Sequence, residues 1–208
     1  MDVVTPDSLV KEGADPMPLE IVEEFQALWG KYVRDRKGST EVLRYLTAEG
    51  FFSAPASTKY HGAFPGGLCK HSVTVANNLL DLLKLHGIVN ETWKQSAVMC
   101  ALLHDICKID AYKKTTKRQR GADGKWQDVP AYEYNDGALP LGHGEKSVFL
   151  LLSLGMELTD QEAAAIRWHM GAYRDRECFN EMGRAFDRYP LALFLHLADM
   201  TAAHWDEV

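Results

Sequence analysis

Apolar residues recur at helical intervals through most of this chain. In PLEIVEEFQALWGKYV, Ile21, Phe25, Leu28 and Val33 fall near helical spacing, and a short second helix is predicted from Thr40, a side chain suited to N-capping, to about Ala48. A loop rich in Gly, Pro and aromatics follows. From Pro65 onward, GGLCKHSVTVANNLLDLLKLHG reads as a long helix with Leu68, Val75, Leu79 and Leu82 on one side and Gly87 as its C-cap. The next helix is predicted from about Glu91 to Ile109. Between 112 and 135 the period changes: YKKTTKRQR, the turn signal ADGK and WQDVPAYEY alternate in character and carry β-formers, which predicts a β-hairpin insertion. Helical spacing returns from Gly144 to Leu154 and restarts at Thr159, where TDQE is a capping-box pattern, to run to His169. A last helix is predicted from Pro190 to Trp205. Residues 1–16, with Pro6, Gly13 and Pro16 among scattered acids, read as an arm ahead of a single, mainly α domain from 17 to 208.

Polar residues interrupt this pattern where it calls for oil. SAVMCALLHDICK is apolar nearly all round, as a central buried helix would be, until His104 and Asp105. An unpaired buried carboxylate costs many kcal/mol, so a cationic group is required beside it. PLALFLHLADM poses the same problem with His196 and Asp199. His71 lies at helical spacing from Leu68, Val75 and Leu79, which turns its imidazole toward the core side. Each piece alone has an ordinary reading: a core histidine with a satisfied ring, or an aspartate that caps a helix or pairs with arginine. Together they place ligand-type groups on three helices, each in an apolar setting, and one divalent metal satisfies all of them because imidazole and carboxylate suit transition ions.

Composition changes the picture little. With 208 residues and 46% hydrophobic content the chain can bury one substantial core. A net charge of −6 excludes a general attraction for nucleic acid, although KKTTKRQR at 113–120 is a local exception. The four cysteines, Cys69, Cys100, Cys107 and Cys178, lack CxxC spacing, and three sit in helical patterns, which points to reduced thiols and a cytoplasmic protein. No basic-then-apolar leader is expected, and no apolar run approaches the roughly 20 residues of a membrane span.

The order His71, His104–Asp105, Asp199 on a helical core resembles the HD-domain metal-dependent phosphohydrolases. HGAFPGGLCKHS, ALLHDICK, LGHGEKS, IRWHMG and LHLADM look like small HD hydrolases of bacteria and their phages, and cover roughly residues 60–205. The resemblance implies an HD-type helical bundle in which His71, His104, Asp105 and Asp199 bind metal. It also sets His143 and His169 where two-metal members carry two further histidines, with Asp105 expected to bridge two ions; the cofactor implied is one or two ions of Mn, Fe, Ni, Co, Zn or Mg. Cys107 departs from the glycine the family often has. His196 is expected beside the ligands rather than among them, and His86 and His204 to be structural or solvated.

The implied activity is cleavage of a nucleotide or related phosphoester by a metal-activated water. Helical spacing sets Lys108 on the same side as His104 and Asp105, and the resemblance turns this HDxxK lysine toward substrate. His61 is a further catalytic candidate, able to contact a phosphate or leaving group. Gly66 and Gly67 could offer backbone N–H groups to an anion. Lys146 and Arg167 are candidates for substrate charge. Lys113, Lys114, Lys117, Arg118 and Arg120, facing Trp126 and Tyr132 across the hairpin, could hold an oligonucleotide, so one alternative is a nucleic-acid-processing phosphodiesterase. A nucleotide-sensing module without turnover is another. An exposed helix would suit a homodimer.

Overall fold

Phe25 stacks on Trp29 and meets Phe51 and Phe52 at ring-centroid distances of 5.6 and 5.1 Å, and this aromatic knot sets the rotation of the first helix. The computed structural model describes residues 18–122, 124–172 and 178–207, so the expected N-terminal arm lies outside the described residues. In α1 (Leu19–Tyr32) the buried face is Val22, Phe25, Trp29 and Tyr32; the expected Ile21 and Leu28 flank it, half buried. Helix α2 (Ser39–Glu49) starts one residue before Thr40, after Gly38 at φ 83°, with no side-chain cap. Thr40 sits inside the first turn, and Ser39 instead donates its hydroxyl to Arg34 O.

Helix α3 (Gly67–Leu85) buries Leu68, His71, Val75 and Leu79, and Gly87 at φ 70° follows its end. Helix α4 (Glu91–Leu103) is capped by Asn90, whose side chain accepts from the Thr92 and Trp93 N–H groups, and it buries every residue from Ala97 to Leu103. It is the central rod, touched by α1 and α3 and by two later helices. The expected continuation to Ile109 does not occur. Asp105 sits at φ −108°, ψ 17°, and a 3₁₀ turn, Ile106–Asp110, takes over. Neighbouring residues of an unbroken helix point about 100° apart, so the break is what lets His104 and Asp105 address one centre.

Strands β1 (Tyr112–Arg120) and β2 (Trp126–Tyr134) form the predicted antiparallel hairpin, in register from Tyr112↔Tyr134 to Arg120↔Trp126. Asn135 clamps its base, donating from its backbone to Ala111 O and from Nδ2 to Asp110 O, each at 2.9 Å. Helix α5 (His143–Ser153) crosses α6 (Asp160–Trp168) closely enough that a Cβ on Gly144 would lie 2.3 Å from Arg167 O. The predicted capping box between Thr159 and Glu162 opens α6.

Helix α7 (Phe179–Arg188) has no counterpart in the sequence reading; four of its ten residues are charged and Ala185 is its one buried residue. Helix α8 (Pro190–Thr201) has Pro190 in its first turn and passes into a wider π-helical turn, Ala202–Asp206. The molecule is thus mainly α with one small hairpin. Among the described residues no helix is long and apolar enough to cross a membrane.

Candidate metal centre

The break after α4 delivers His104 and Asp105 to a point that α3 reaches with His71, α5 with His143, α6 with His169 and α8 with Asp199. The two oxygens of Asp105 divide these neighbours. Oδ2 lies 3.7 Å from His71 Nε2 and 3.3 Å from His104 Nε2. Oδ1 lies 2.5 Å from His143 Nε2 and 3.4 Å from His169 Nε2. Asp199 Oδ1 is 3.1 Å from His71 Nε2 and 3.9 Å from His104 Nε2. Within each of the sets His71/His104/Asp199, His104/Asp105/His169 and Asp105/Cys107/His143, the ligand atoms lie within 4.8 Å of one another. All six predicted metal ligands are therefore in one cluster.

Tautomers follow from the far side of each ring. His104 Nδ1 donates to Ala101 O and His169 Nδ1 to Ile166 O, both at 2.7 Å, while His71 Nδ1 faces Glu207 Oε2 at 3.1 Å. Each Nε2 is thereby turned inward, and His71, His104 and His169 all have Nε2 buried without a hydrogen-bond partner. Buried polar atoms are seldom left so. Inward lone pairs facing carboxylates repel unless a cation stands between them, and an acceptor on Nδ1 is what metal-ligating histidines have. The donor set fits a divalent transition ion.

Charge balance points the same way. Lys108 Nζ is 2.6 Å from Asp105 Oδ2, whereas Asp199 and the Glu207 carboxylate, also buried, are met by imidazoles. Burial opposes the charge on Asp105, but Lys108, His104 and His143 hold its carboxyl well below the usual range. Asp199 is likewise held low against burial, by His71 and His104. Burial pushes His104 and His143 down, so their rings are neutral donors. His71 also suffers burial, yet Asp199 and Glu207 raise it to about 9. A proton and a metal ion compete for the same position at His71 Nε2. His169 is raised, against burial, by Asp105.

An open pocket of about 290 Å³ leads to this cluster, lined by His61, Lys108, Tyr112, Tyr134, His143 and Arg167 among others. The His61 ring is 4.9 Å from that of His71, and burial, followed by His71 and Lys108, lowers its pKa. Arg167 lies over Trp168 at 4.0 Å and pairs with Glu145 at 2.5 Å. Lys146 is buried, with Nζ 2.6 Å from Asp110 Oδ1; it ties α5 to the 3₁₀ turn and is not among the pocket-lining residues. The Gly67 N–H donates to Phe64 O, and a Cβ there would lie 2.0 Å from Gly62 O, so this glycine serves the loop's close approach. His196 Nδ1 donates to His169 O at 2.6 Å, His86 lies against Phe194, and His204 is exposed.

Two participants join the predicted ligands, Glu207 with no advance signal in the sequence and Cys107 known there only as a departure from the family's glycine. Glu207 arrives through the π-helical turn, closed by its own N–H on Ala202 O at 3.1 Å and steadied by Asn78 Nδ2 on Asp206 at 2.7 Å. Cys107 Sγ lies 3.4 Å from His143 Nδ1, and burial pushes its thiol up to about 12, so it packs there as a neutral thiol. No family model, curated protein or solved structure matches the chain.

Proposed function

We propose that the protein is a metal-dependent phosphohydrolase of the HD-domain type, acting on a nucleotide or related phosphoester. The observation that carries this reading is the set of three buried, unpartnered Nε2 atoms on His71, His104 and His169, turned toward Asp105 and Asp199. The division of neighbours between the two oxygens of Asp105 supports a bridging role for that carboxylate, with His71, His104 and Asp199 on one side and His143 and His169 on the other. A divalent ion bound there supplies an activated water and polarises phosphoryl oxygens.

The chain's own residues do the rest. His143, with about a quarter of its side chain exposed (27%), connects the buried cluster to the pocket. Lys108, held on Asp105, presents a fixed ammonium to the same space and offsets charge on a phosphoryl group. His61, whose lowered pKa leaves its imidazole neutral near pH 7, can accept a proton or hydrogen-bond a phosphate oxygen. Arg167, stacked on Trp168, supplies a cation at the pocket wall.

The test is metal analysis of protein purified without chelator, joined to a metal-supplemented screen of nucleotides and generic phosphoesters with the Asp105→Ala protein as blank. One to two transition ions per chain and turnover absent from the blank are expected. Equal background in both proteins with every metal tried would remove the hydrolytic reading.

A further inference from the structure

The hairpin sorts its charges in a way the basic run does not reveal. Directly opposed residues of an antiparallel pair share a face, and faces alternate along each strand. Tyr112 opposes Tyr134, Lys114 opposes Tyr132, Arg118 opposes Asp128 and Arg120 opposes Trp126, so three cations and four aromatic rings stand on one side. The other side pairs Lys113 with Glu133, Thr115 with Ala131, Lys117 with Val129 and Gln119 with Gln127, and carries no ring. There Lys113 Nζ is 3.4 Å from Glu133, and on the ring-bearing side Arg118 Nε is 4.0 Å from Asp128.

Three further observations give this face a direction and a ligand. Trp126 and Tyr134 are each 62% exposed, far from the treatment of core aromatics. Tyr112 and Tyr134, whose ring centroids are 5.4 Å apart, also line the pocket that leads to His143 and Lys108. Six lysines and arginines stand against three carboxylates between residues 112 and 134, although the whole chain carries −6. A nine-residue strand spans about 30 Å, so rings and cations are spread along a track rather than gathered at a point.

We infer that this ribbon face binds single-stranded nucleic acid and leads it to the pocket over the candidate metal centre. Rings spaced among cations suit exposed bases joined by phosphates, because every base offers a π-face while the backbone supplies the charge. A duplex hides its base faces, and an acidic peptide would use the cations and leave the rings idle. What happens to the strand at the pocket rests on the phosphohydrolase reading; the binding does not.

Fluorescence anisotropy with a labelled oligothymidylate of about 15 nucleotides, in chelator so that nothing is cleaved, tests the binding across a salt series starting near about 50 mM. Trp126→Ala should weaken affinity about tenfold. The Lys114→Gln, Arg118→Gln protein should bind more weakly and show a shallower salt dependence, whereas Lys113→Gln with Lys117→Gln should keep the wild-type slope. No binding at low salt, equal losses from the two faces, or competition by polyglutamate as effective as by unlabelled oligonucleotide would each overturn the inference. Restoring metal then separates the two ideas. Intact, face-specific binding without cleavage counts against the hydrolase alone, and cleavage of mononucleotides without oligonucleotide binding counts against the track alone.

Discussion

Two buried carboxylates in this bundle are neutralised in different ways. Glu162, at 0% exposure, is gripped by Arg36, whose NH1 and NH2 lie 2.7 and 2.8 Å from its two oxygens, and it also accepts from the Thr159 N–H at 2.9 Å. Its charge is answered by a permanent cation in fork geometry, and the pair fastens the start of α6 to the loop after α1. Asp105, at 1%, has Lys108 on one oxygen and otherwise faces imidazoles, and the neighbouring Asp199 has imidazoles alone. The chain sets a half-buried arginine against one carboxylate and none against the other. The first arrangement is neutralised from its own atoms, even though Glu162 Oε1 meets Arg36 as an ion pair without a hydrogen bond. The second has no such cation on Asp199 and brings buried ligand-type groups within reach of one another, which suits it to hold a metal ion.

Arg36→Ala draws this contrast most sharply. It strands Glu162 without its cation and should cost about 3–5 kcal/mol, read as a lowered denaturant midpoint, by the same amount with and without chelator. A loss that vanishes in chelator would mean that the two sites are not independent.

Next in size is the effect of the ion itself. At a free metal concentration about 100 times the dissociation constant, binding should add about 2.7 kcal/mol, so thermal melts in chelator should fall below melts in added Mn²⁺ or Zn²⁺. Asp105→Asn should lose this metal dependence and melt below the chelated wild type, because it also leaves the buried Lys108 ammonium without its carboxylate. Melting indifferent to metal in the wild type would make the cluster an ordinary piece of core.

Glu207→Gln is expected to do less. Weakening the acceptor on His71 Nδ1 should reduce metal affinity about 10- to 100-fold, measured by competition with a chromogenic chelator, with the helical circular dichroism unchanged. An affinity equal to that of the wild type would deny Glu207 its part in orienting the ring.

The smallest effect concerns pH. Burial opposes the Glu162 charge, but Arg36, Ser96 and the Thr159 N–H outweigh it and hold the group below its ordinary 4.5. The unfolded chain therefore takes up this proton first as pH falls. The stability contributed by Glu162 is present above about 4.5 and is lost as pH drops through the lower folded value. Denaturant midpoints of wild type and Glu162→Gln should converge below that range; a gap that widens on acidification would reverse the sign.

Much of the architecture could be read from spacing, and the reasons are local. α3, α4 and α5 have apolar faces that repeat every turn, the change to alternation at 112 marks the hairpin, and the capping box at Thr159 announces a helix start. α7, which buries Ala185 alone, has no counterpart in the sequence reading even though Phe179, Met182 and Phe186 recur at helical spacing along it. The rotation of α1 was misjudged by one position because Phe51 and Phe52, beyond any local window, decide which side of it faces inward. His71, His104, Asp105 and Asp199 stood out as polar residues in oily segments, whereas His143 and His169 were implied by the family resemblance alone. Lys146, a candidate for substrate charge, proves to be paired with Asp110.

The sequence by itself determined the helical periods, the hairpin and the presence of imidazole and carboxylate groups at positions where burial forbids isolated charge, since periodicity and desolvation cost act on each segment separately. Only the tertiary structure decided that those groups meet, that α4 breaks at Asp105, that Glu207 supports His71 and that the hairpin's cations and rings share a face. Those outcomes depend on distances between residues far apart in the chain and on strand register, and neither is fixed until the elements pack.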